Sequence, residues 1–213
     1  SPSSSFKSTV THLGDGGKST GIPYPLIHFS TDYVFDGEKE EGYVEEGRAN
    51  PLGVYGQSKL AGEEAVQAVG GLHYIFAPAG YIPIGDRILF DDEAAGHERD
   101  EINVVADQFG VPTSSAFIAE QIETMIPQLC ENNTGLYHLV PKNLARGTTL
   151  QNKLLVKLIL ILFEEFTPIE TLAFKPKAQR PKHSLLNNHK IQQVFMLKLE
   201  HWHKGLEIVI NEE

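Results

Sequence analysis

Cysteine is nearly absent from this chain. The 213 residues include one, Cys130. A single cysteine excludes an internal disulfide framework and fits a reducing compartment, so we expect a cytoplasmic protein. We expect Cys130 itself to be a small, buried residue on a helix.

Long apolar runs are missing as well. The most hydrophobic stretch, residues 154–163, is interrupted by Lys157 and is too short to span a bilayer. The polar residues 1–5 lack the apolar segment of a secretory signal. We therefore expect no membrane partner.

Positive charge is scarce. There are 18 Lys and Arg against 28 Asp and Glu, which gives a formal net charge of -10 at pH 7. A nucleic-acid partner is not expected, because a protein that binds phosphate backbones needs a basic surface. The nine histidines show no spacing that indicates zinc. His201 and His203, two positions apart, would not share a helix face.

The chain also lacks a convincing strand, Gly-rich turn and helix in the arrangement that binds the pyrophosphate of a dinucleotide. Residues 1–24 are instead rich in Ser, Gly and Thr, and we expect this leader to be irregular.

Strand and helix patterns alternate along the rest of the chain. We expect strands at residues 26–30, 72–81, 102–105 and 136–140, and helices at residues 55–68, 91–100, 114–131, 150–166, 187–194 and 200–210. Residues 36–50 form an acidic loop, Gly70 and Gly71 end the first helix, and Pro127 distorts the third. Such alternation predicts an α/β fold with a parallel sheet.

Two neighbouring segments point to chemistry. STDYVFDG (residues 30–37) begins where a buried strand ends, and NPLGVYGQSKLAGE (residues 50–63) opens a helix. Tyr55 and Lys59 are four positions apart and share a helix face, where an ammonium group stabilises a phenolate. Ligands of open α/β sheets bind at the carboxyl ends of strands. The pattern predicts a site that reduces or oxidises a carbonyl group.

These segments resemble the dTDP-4-dehydrorhamnose reductases, which are extended short-chain dehydrogenases/reductases. The resemblance also includes YVEE (residues 43–46), DQFGVPT (residues 107–113), GLYHLV (residues 135–140), and Arg180-Pro181 followed by Ser184 and Leu186. The motifs occur in the family's order and at about its spacing, from about Pro25 onward. YxxxK alone is a weak signal, but the ordered set is strong.

The resemblance implies an NADPH- or NADH-dependent reduction of the C4 ketone of dTDP-4-dehydro-L-rhamnose to dTDP-L-rhamnose. It implies a Rossmann-like sheet whose N-terminal, Gly-rich part is absent here. We expect residues 1–84 to be a partial cofactor-binding half and residues 85–213 to be a smaller substrate-binding part, with residues 114–141 packing back on the sheet. The family can bind Mg²⁺, but this sequence identifies no ligands for it. A dTDP-sugar is the expected partner, and the resemblance is compatible with a homodimer.

Residue roles follow from the same resemblance. Tyr55 would donate the proton, and Lys59 would assist it and bind the nicotinamide ribose. Thr31 would contact the sugar carbonyl or the Tyr55 hydroxyl; alternatively, it only satisfies backbone groups. The resemblance also assigns Tyr55, Lys59 and Ser30 to the cofactor, and Thr31, Asp32, Tyr33 and Arg180 to the substrate.

Alternatives remain for several of these residues. Asp32 could instead cap a turn, and Arg180, expected to clamp a diphosphate, could equally form a surface ion pair. Asp107 and Gln108 would lie in a loop of the substrate-binding part.

One stretch departs from the family pattern. Where the family usually has an arginine and, three positions later, an aromatic residue that faces the sugar, this chain has Ala77 and Gly80. This departure, with the missing Gly-rich turn, favours a non-catalytic binding or regulatory subunit resembling the methionine adenosyltransferase β subunit, whereas the intact set of Thr31, Tyr55 and Lys59 favours the enzyme. An inactive truncated relative is a further alternative.

Overall fold

The computed structural model describes residues 24–82, 102–105, 109–142, 166–169, 180–202 and 204. Several sequence predictions lie outside these residues. They are the leader as far as residue 23, the helices at residues 91–100 and 150–165, most of the helix at residues 200–210, and the pair Asp107–Gln108.

Nine strands and three α-helices are described. The strands are β1 (Leu26–Phe29), β2 (His73–Ala77), β3 (Tyr81–Ile82), β4 (Ile102–Val105), β5 (Phe109–Gly110), β6 (Thr113–Ser114), β7 (Gly135–His138), β8 (Phe166–Ile169) and β9 (His183–Ser184). The helices are α1 (Val54–Val69), α2 (Ser115–Met125) and α3 (His189–Val194). Among the described residues, none of the helices is long and apolar enough to cross a membrane.

The main sheet has the order β1-β2-β7, and both of its strand pairs are parallel. Three further parallel pairs are β3 with β6, β4 with β8, and β5 with β9. This arrangement confirms the predicted α/β class with parallel sheets. The division into two parts at residue 84 stays a prediction.

The middle strand of the main sheet is buried on both faces. Four of the five β2 residues are fully buried, as a continuous apolar run between two parallel neighbours requires. Tyr74 and Phe76 belong to the larger core cluster, and Ala77 to the smaller one. The larger cluster also contains Phe117, Met125, Tyr137, Leu139, Ile191, Phe195, Leu197 and Leu199. The smaller one adds Val34, Phe35, Tyr43, Ala79, Val140 and Leu186.

Helix α1 matches its prediction closely. Gly53 occupies the N-cap, and the helix ends at Gly70, whose φ of 71° lies in the left-handed region that favours glycine. The helix buries one narrow stripe, which contains Gly56, Gly62, Glu63 and Val66. A glutamate in this buried stripe was not foreseen.

Helix α2 begins where the sequence predicts but ends at Met125, before the predicted end at residue 131. The Ser114 hydroxyl accepts a hydrogen bond from the Phe117 amide at 3.2 Å, which caps the helix. The α-helix stops at Met125 and continues as a 3₁₀ turn (Ile126–Gln128) that contains Pro127. The predicted distortion at Pro127 is therefore confirmed.

Three further sequence expectations were wrong. The strand predicted over residues 72–81 ends at Ala77 and resumes as β3, because Pro78 cannot donate to the ladder and Gly80 has a φ of 59°. Phe166 begins a strand and does not end a helix. Cys130 is exposed and precedes the 3₁₀ turn Glu131–Asn133; it is not buried on a helix.

Candidate active site

The site lies at the carboxyl end of β1. Ser30 follows the strand directly, and its amide donates to the Phe76 carbonyl at 2.8 Å. The Ser30 hydroxyl is buried and donates to the Glu63 carboxylate. This hydroxyl therefore joins the end of the strand to α1. The predicted contact of Ser30 with a cofactor stays a prediction.

Thr31 caps the 3₁₀ helix Asp32–Val34. Its hydroxyl oxygen accepts a hydrogen bond from the Tyr33 amide at 3.4 Å, and the hydroxyl donates a hydrogen bond to Asp32 Oδ1 at 3.0 Å. The structure therefore shows the backbone role that was the alternative for Thr31. A contact with substrate stays a prediction.

Asp32 and Arg180 are brought together from distant parts of the sequence. Asp32 is 5% exposed, and this burial raises the pKa of its carboxyl group. Hydrogen bonds from the Ser184 and Thr31 hydroxyls and the charge of Arg180 act in the opposite direction. The Asp32 carboxylate is thus surrounded by protein groups. Arg180 is half-buried beside it.

Tyr55 and Lys59 lie together on the first turns of α1. Tyr55 is 53% exposed, and the Lys59 ammonium is 6.0 Å from the centroid of its ring. Lys59 Nζ also donates to the Phe29 carbonyl at 3.0 Å. The ring of Tyr33 meets the Tyr55 ring edge-on, with centroids 5.6 Å apart. The predicted side-by-side placement of Tyr55 and Lys59 is what the structure shows.

The positive charge of Lys59 affects His28 in β1. Burial lowers the pKa of His28, and the nearby Lys59 ammonium lowers it further. His28 and Ser30 are two positions apart, so their side chains leave the backbone on the same side. The Lys59 ammonium therefore lies on the sheet side of α1.

Glu63 is the site residue that sequence reasoning missed. It is 4% exposed, and burial raises the pKa of its carboxyl group, while the hydrogen bond from Ser30 opposes that shift. A signal was present in its spacing. Glu63 follows Lys59 by four positions and precedes the buried Val66 by three, which places it on the inward stripe of α1.

Gly80 does not provide space for an aromatic side chain. A Cβ at this position would lie 2.5 Å from the Val111 carbonyl oxygen, and the φ of 59° disfavours other residues. The sequence expectation placed the family's sugar-facing aromatic at this position. This backbone does not fit that placement.

Among the side chains that the structure describes, no group of three or more His, Cys, Asp or Glu residues could hold a metal ion.

A sequence model of the RmlD substrate binding domain matches residues 8–213. The chain belongs to this family. A dTDP-4-dehydrorhamnose reductase from Shigella flexneri is 35% identical over 203 residues, and one from Sinorhizobium fredii is 32% identical over 199 residues; each match covers 88% of this chain. The predicted relationship to dTDP-4-dehydrorhamnose reductases is confirmed.

Solved structures of a reductase and of a dehydratase share the fold. A dTDP-4-dehydrorhamnose reductase from Bacillus anthracis in complex with NADP is 30% identical, with a TM-score of 0.73 over 89% of this chain and 66% of that one. A dTDP-glucose 4,6-dehydratase from Streptomyces venezuelae is only 12% identical, and its TM-score of 0.65 over 97% of this chain and 63% of that one shows similarity of fold alone.

This RmlD-family chain spans 65% of the length of the Shigella relative and 66% of that of the Sinorhizobium relative. The activity, substrates and partners of those longer proteins are therefore proposals for this chain.

Proposed function

We propose that this chain belongs to an NADPH- or NADH-dependent dTDP-4-dehydrorhamnose reductase, which reduces the C4 ketone of dTDP-4-dehydro-L-rhamnose to give dTDP-L-rhamnose. One observation supports this most strongly: Tyr55 and Lys59 lie side by side at the carboxyl end of β1, which is where open α/β sheets bind ligands. The names of the relatives give the reaction and the sugar.

The chemistry of the pair suits ketone reduction. A bound nicotinamide cofactor supplies the hydride. The phenol of Tyr55 donates its proton to the ketone oxygen of the substrate. The exposure of Tyr55 lets a substrate reach this hydroxyl. The Lys59 ammonium lies beside the Tyr55 ring and is proposed to assist this proton transfer. Thr31 is proposed to direct its hydroxyl at the same oxygen once substrate is bound.

The described groups fit a nicotinamide ribose. An ammonium group has three N–H donors, and one of those on Lys59 goes to the Phe29 carbonyl. The other two can donate to ribose hydroxyl groups. The Ser30 hydroxyl already donates its one hydrogen bond to Glu63, so it can only accept a hydrogen bond from a cofactor. The NADP in the Bacillus anthracis relative supports NADPH as the cofactor.

The substrate contacts are proposed around the same strand end. Tyr33 is half-buried against Tyr55, and this contact supports a role for its ring in binding the substrate. Arg180 is proposed to contact the diphosphate of the dTDP-sugar, with Asp32 holding it. We further propose a cytoplasmic location, which suits the single cysteine, and a homodimer.

The test is a turnover assay with dTDP-4-dehydro-L-rhamnose, in which the loss of NADPH absorbance is followed and the sugar product is identified. We expect saturable, substrate-dependent oxidation of NADPH and formation of dTDP-L-rhamnose. Binding of either ligand without turnover would instead support a non-catalytic binding subunit.

A further inference from the structure

The carboxylate of Glu63 is buried on α1, whereas the other carboxylate of this helix faces water. The next residue, Glu64, is exposed, as are Gln57 and Gln67 on the outer face of α1. A carboxylate is rarely buried fully, because removing it from water costs free energy unless hydrogen bonds compensate. An apolar residue would fill the same space, so packing alone does not account for a glutamate at position 63.

Glu63 forms a polar link between α1 and the end of β1, and Lys59 forms another. Its carboxylate accepts from the Ser30 hydroxyl, and one turn earlier Lys59 Nζ donates to the carbonyl of Phe29 at 3.0 Å. Phe29 and Ser30 are consecutive on the strand, while Lys59 and Glu63 are four apart on the helix and share a face. Two links that are one turn apart along the helix axis fix both the rotation and the axial position of α1 against the strand.

Tyr55 lies four positions before Lys59, one further turn toward the start of α1. Apolar contacts such as those of Val66 do not set the axial position of a helix tightly, because hydrophobic burial is non-directional. A hydrogen bond is directional and weakens steeply when its geometry changes. Loss of the Ser30–Glu63 link removes one of the directional contacts that hold α1 against the strand, and we expect Tyr55 and Lys59 to shift as a result.

We propose that Glu63 is a positioning residue for the Tyr55–Lys59 pair and acts through the hydroxyl of Ser30. The kinetic consequence rests on the proposed reductase function, whereas the structural consequence does not. Proton donation needs close geometry, and a displacement of about 1 Å can cost about 10²-fold in rate. Burial raises the pKa of Glu63, so the link must be tested separately from the charge.

Three variants separate these effects. Glu63→Ala removes the link, Ser30→Ala removes it from the other side, and Glu63→Gln keeps an amide oxygen that accepts from Ser30 while it removes the charge. Glu64→Ala is the matched control, because it deletes an exposed carboxylate one position along the same helix. A melting curve for each protein reports whether it folds.

The first readout is steady-state kinetics. We expect Glu63→Ala and Ser30→Ala to lower kcat by about 10- to 100-fold, with the KM for the dTDP-sugar changed by less than about threefold. Glu63→Gln and Glu64→Ala should keep kcat within about threefold of wild type. A purely structural role would lower the melting temperature in Glu63→Ala but leave kcat unchanged in the folded fraction, which would overturn the proposal.

The second readout does not depend on activity. Nuclear Overhauser effects between the tyrosine rings, measured on protein with labelled tyrosines, report the contact of Tyr33 with Tyr55, whose centroids are 5.6 Å apart. We expect this contact to weaken or disappear in Glu63→Ala and Ser30→Ala and to persist in the other two variants. Ring contacts that remain unchanged in a folded Glu63→Ala protein contradict the proposal.

The two readouts distinguish the possible failures. If no protein turns over but the ring contact changes as expected, the proposed reductase function fails and the positioning role stands. If Glu63→Ala does not fold, Ser30→Ala and Glu63→Gln decide the question. A Ser30→Ala protein with an intact ring contact and weakened NADPH affinity would assign Ser30 to cofactor binding and overturn the inference.

Discussion

Gly56 of α1 lies directly against the backbone carbonyl of Tyr33. A Cβ at position 56 would come within 2.1 Å of the Tyr33 oxygen and 2.9 Å of the Pro51 side chain. Real Cβ atoms do not approach a carbonyl oxygen so closely, so only glycine allows α1 to contact the 3₁₀ helix at this distance. The close approach also brings the rings of Tyr55 and Tyr33 into contact.

We predict that Gly56→Ala destabilises the protein by about 1–3 kcal/mol, the usual effect of overpacking a tight site. An alanine inside a helix ordinarily stabilises by about 1 kcal/mol over glycine, so a loss is diagnostic. Urea unfolding measures the change. Gly110→Ala is the control, because among the described residues its Cβ would meet only the Ser184 Cβ, at 3.7 Å. An unchanged or raised stability in Gly56→Ala would contradict the close contact.

For the proton donor, we predict that Tyr55→Phe lowers kcat by about 10²- to 10⁴-fold, the usual contribution of general acid catalysis. The affinity for NADPH should barely change, because the phenol acts mainly on the reacting carbonyl. Steady-state kinetics and a cofactor titration measure the two quantities. Tyr24→Phe removes the hydroxyl of an exposed tyrosine and should have no effect. Near-normal turnover in Tyr55→Phe would remove Tyr55 from the chemistry.

The two roles of Thr31 can be separated by size-matched substitution. Thr31→Val removes the hydroxyl that caps the Asp32–Val34 turn, and we predict a loss of about 1 kcal/mol of stability. If the hydroxyl also polarises the ketone, kcat/KM should fall by about 10²-fold, the effect of losing one such donor. Thr31→Ser should keep both properties. A Val variant with the turnover of the Ser variant would limit Thr31 to capping.

Burial of His138 predicts a pH-dependent stability. Burial lowers the pKa of His138 to about 4, and its neutral ring bonds the Asn187 carbonyl at 3.0 Å. In the unfolded chain the His138 ring takes up a proton near pH 6.5, whereas in the folded chain it stays neutral until about pH 4. The neutral ring therefore makes its full contribution to the free energy of unfolding above pH 6.5. This contribution is lost as the pH falls toward 4, and amounts to about 3 kcal/mol. The charged groups nearby are Glu45, Glu46 and Lys190.

The measurement is urea unfolding of wild type and His138→Gln at several pH values between 4 and 7. The difference between the two proteins should shrink as the pH is lowered. Asp32, Glu45 and Glu63, whose raised pKa values act in the opposite direction, are present in both proteins. His189→Gln, at an exposed histidine, should leave the profile unchanged. Parallel profiles for wild type and His138→Gln would show that His138 does not titrate in this way.

Sequence periodicity predicted the elements whose burial is regular. Helix α1 and the strand that became β2 have clear apolar patterns and glycine boundaries, and both lie within a few residues of their predicted positions. The break after Ala77 was missed, because a continuous apolar run does not show where backbone pairing stops. Cys130 was misplaced because its exposure follows from the 3₁₀ turns after α2, which residue type alone does not indicate.

The residues of the candidate site likewise fall into those that the sequence could predict and those that it could not. Tyr55 and Lys59 could be paired from spacing, since a helix fixes their relation locally. The association of Asp32 with Arg180 and Ser184 depends on segments far apart in the chain, and nothing local encodes it. Glu63 and Glu64 are adjacent and chemically identical, so residue type does not show which of them is buried, and only the spacing of Glu63 from Val66 distinguishes it.

The parallel strand order has a consequence for the folding rate. Leu26 pairs with His73, and Tyr74 with Gly135, so the main sheet can close only after long stretches of chain have been gathered. The entropy of those closures is lost before the pairing energy is gained, and such topologies fold slowly. Refolding should therefore be slow for a chain of this size. Aggregation should compete at the stage when β2 has formed but one of its neighbours has not.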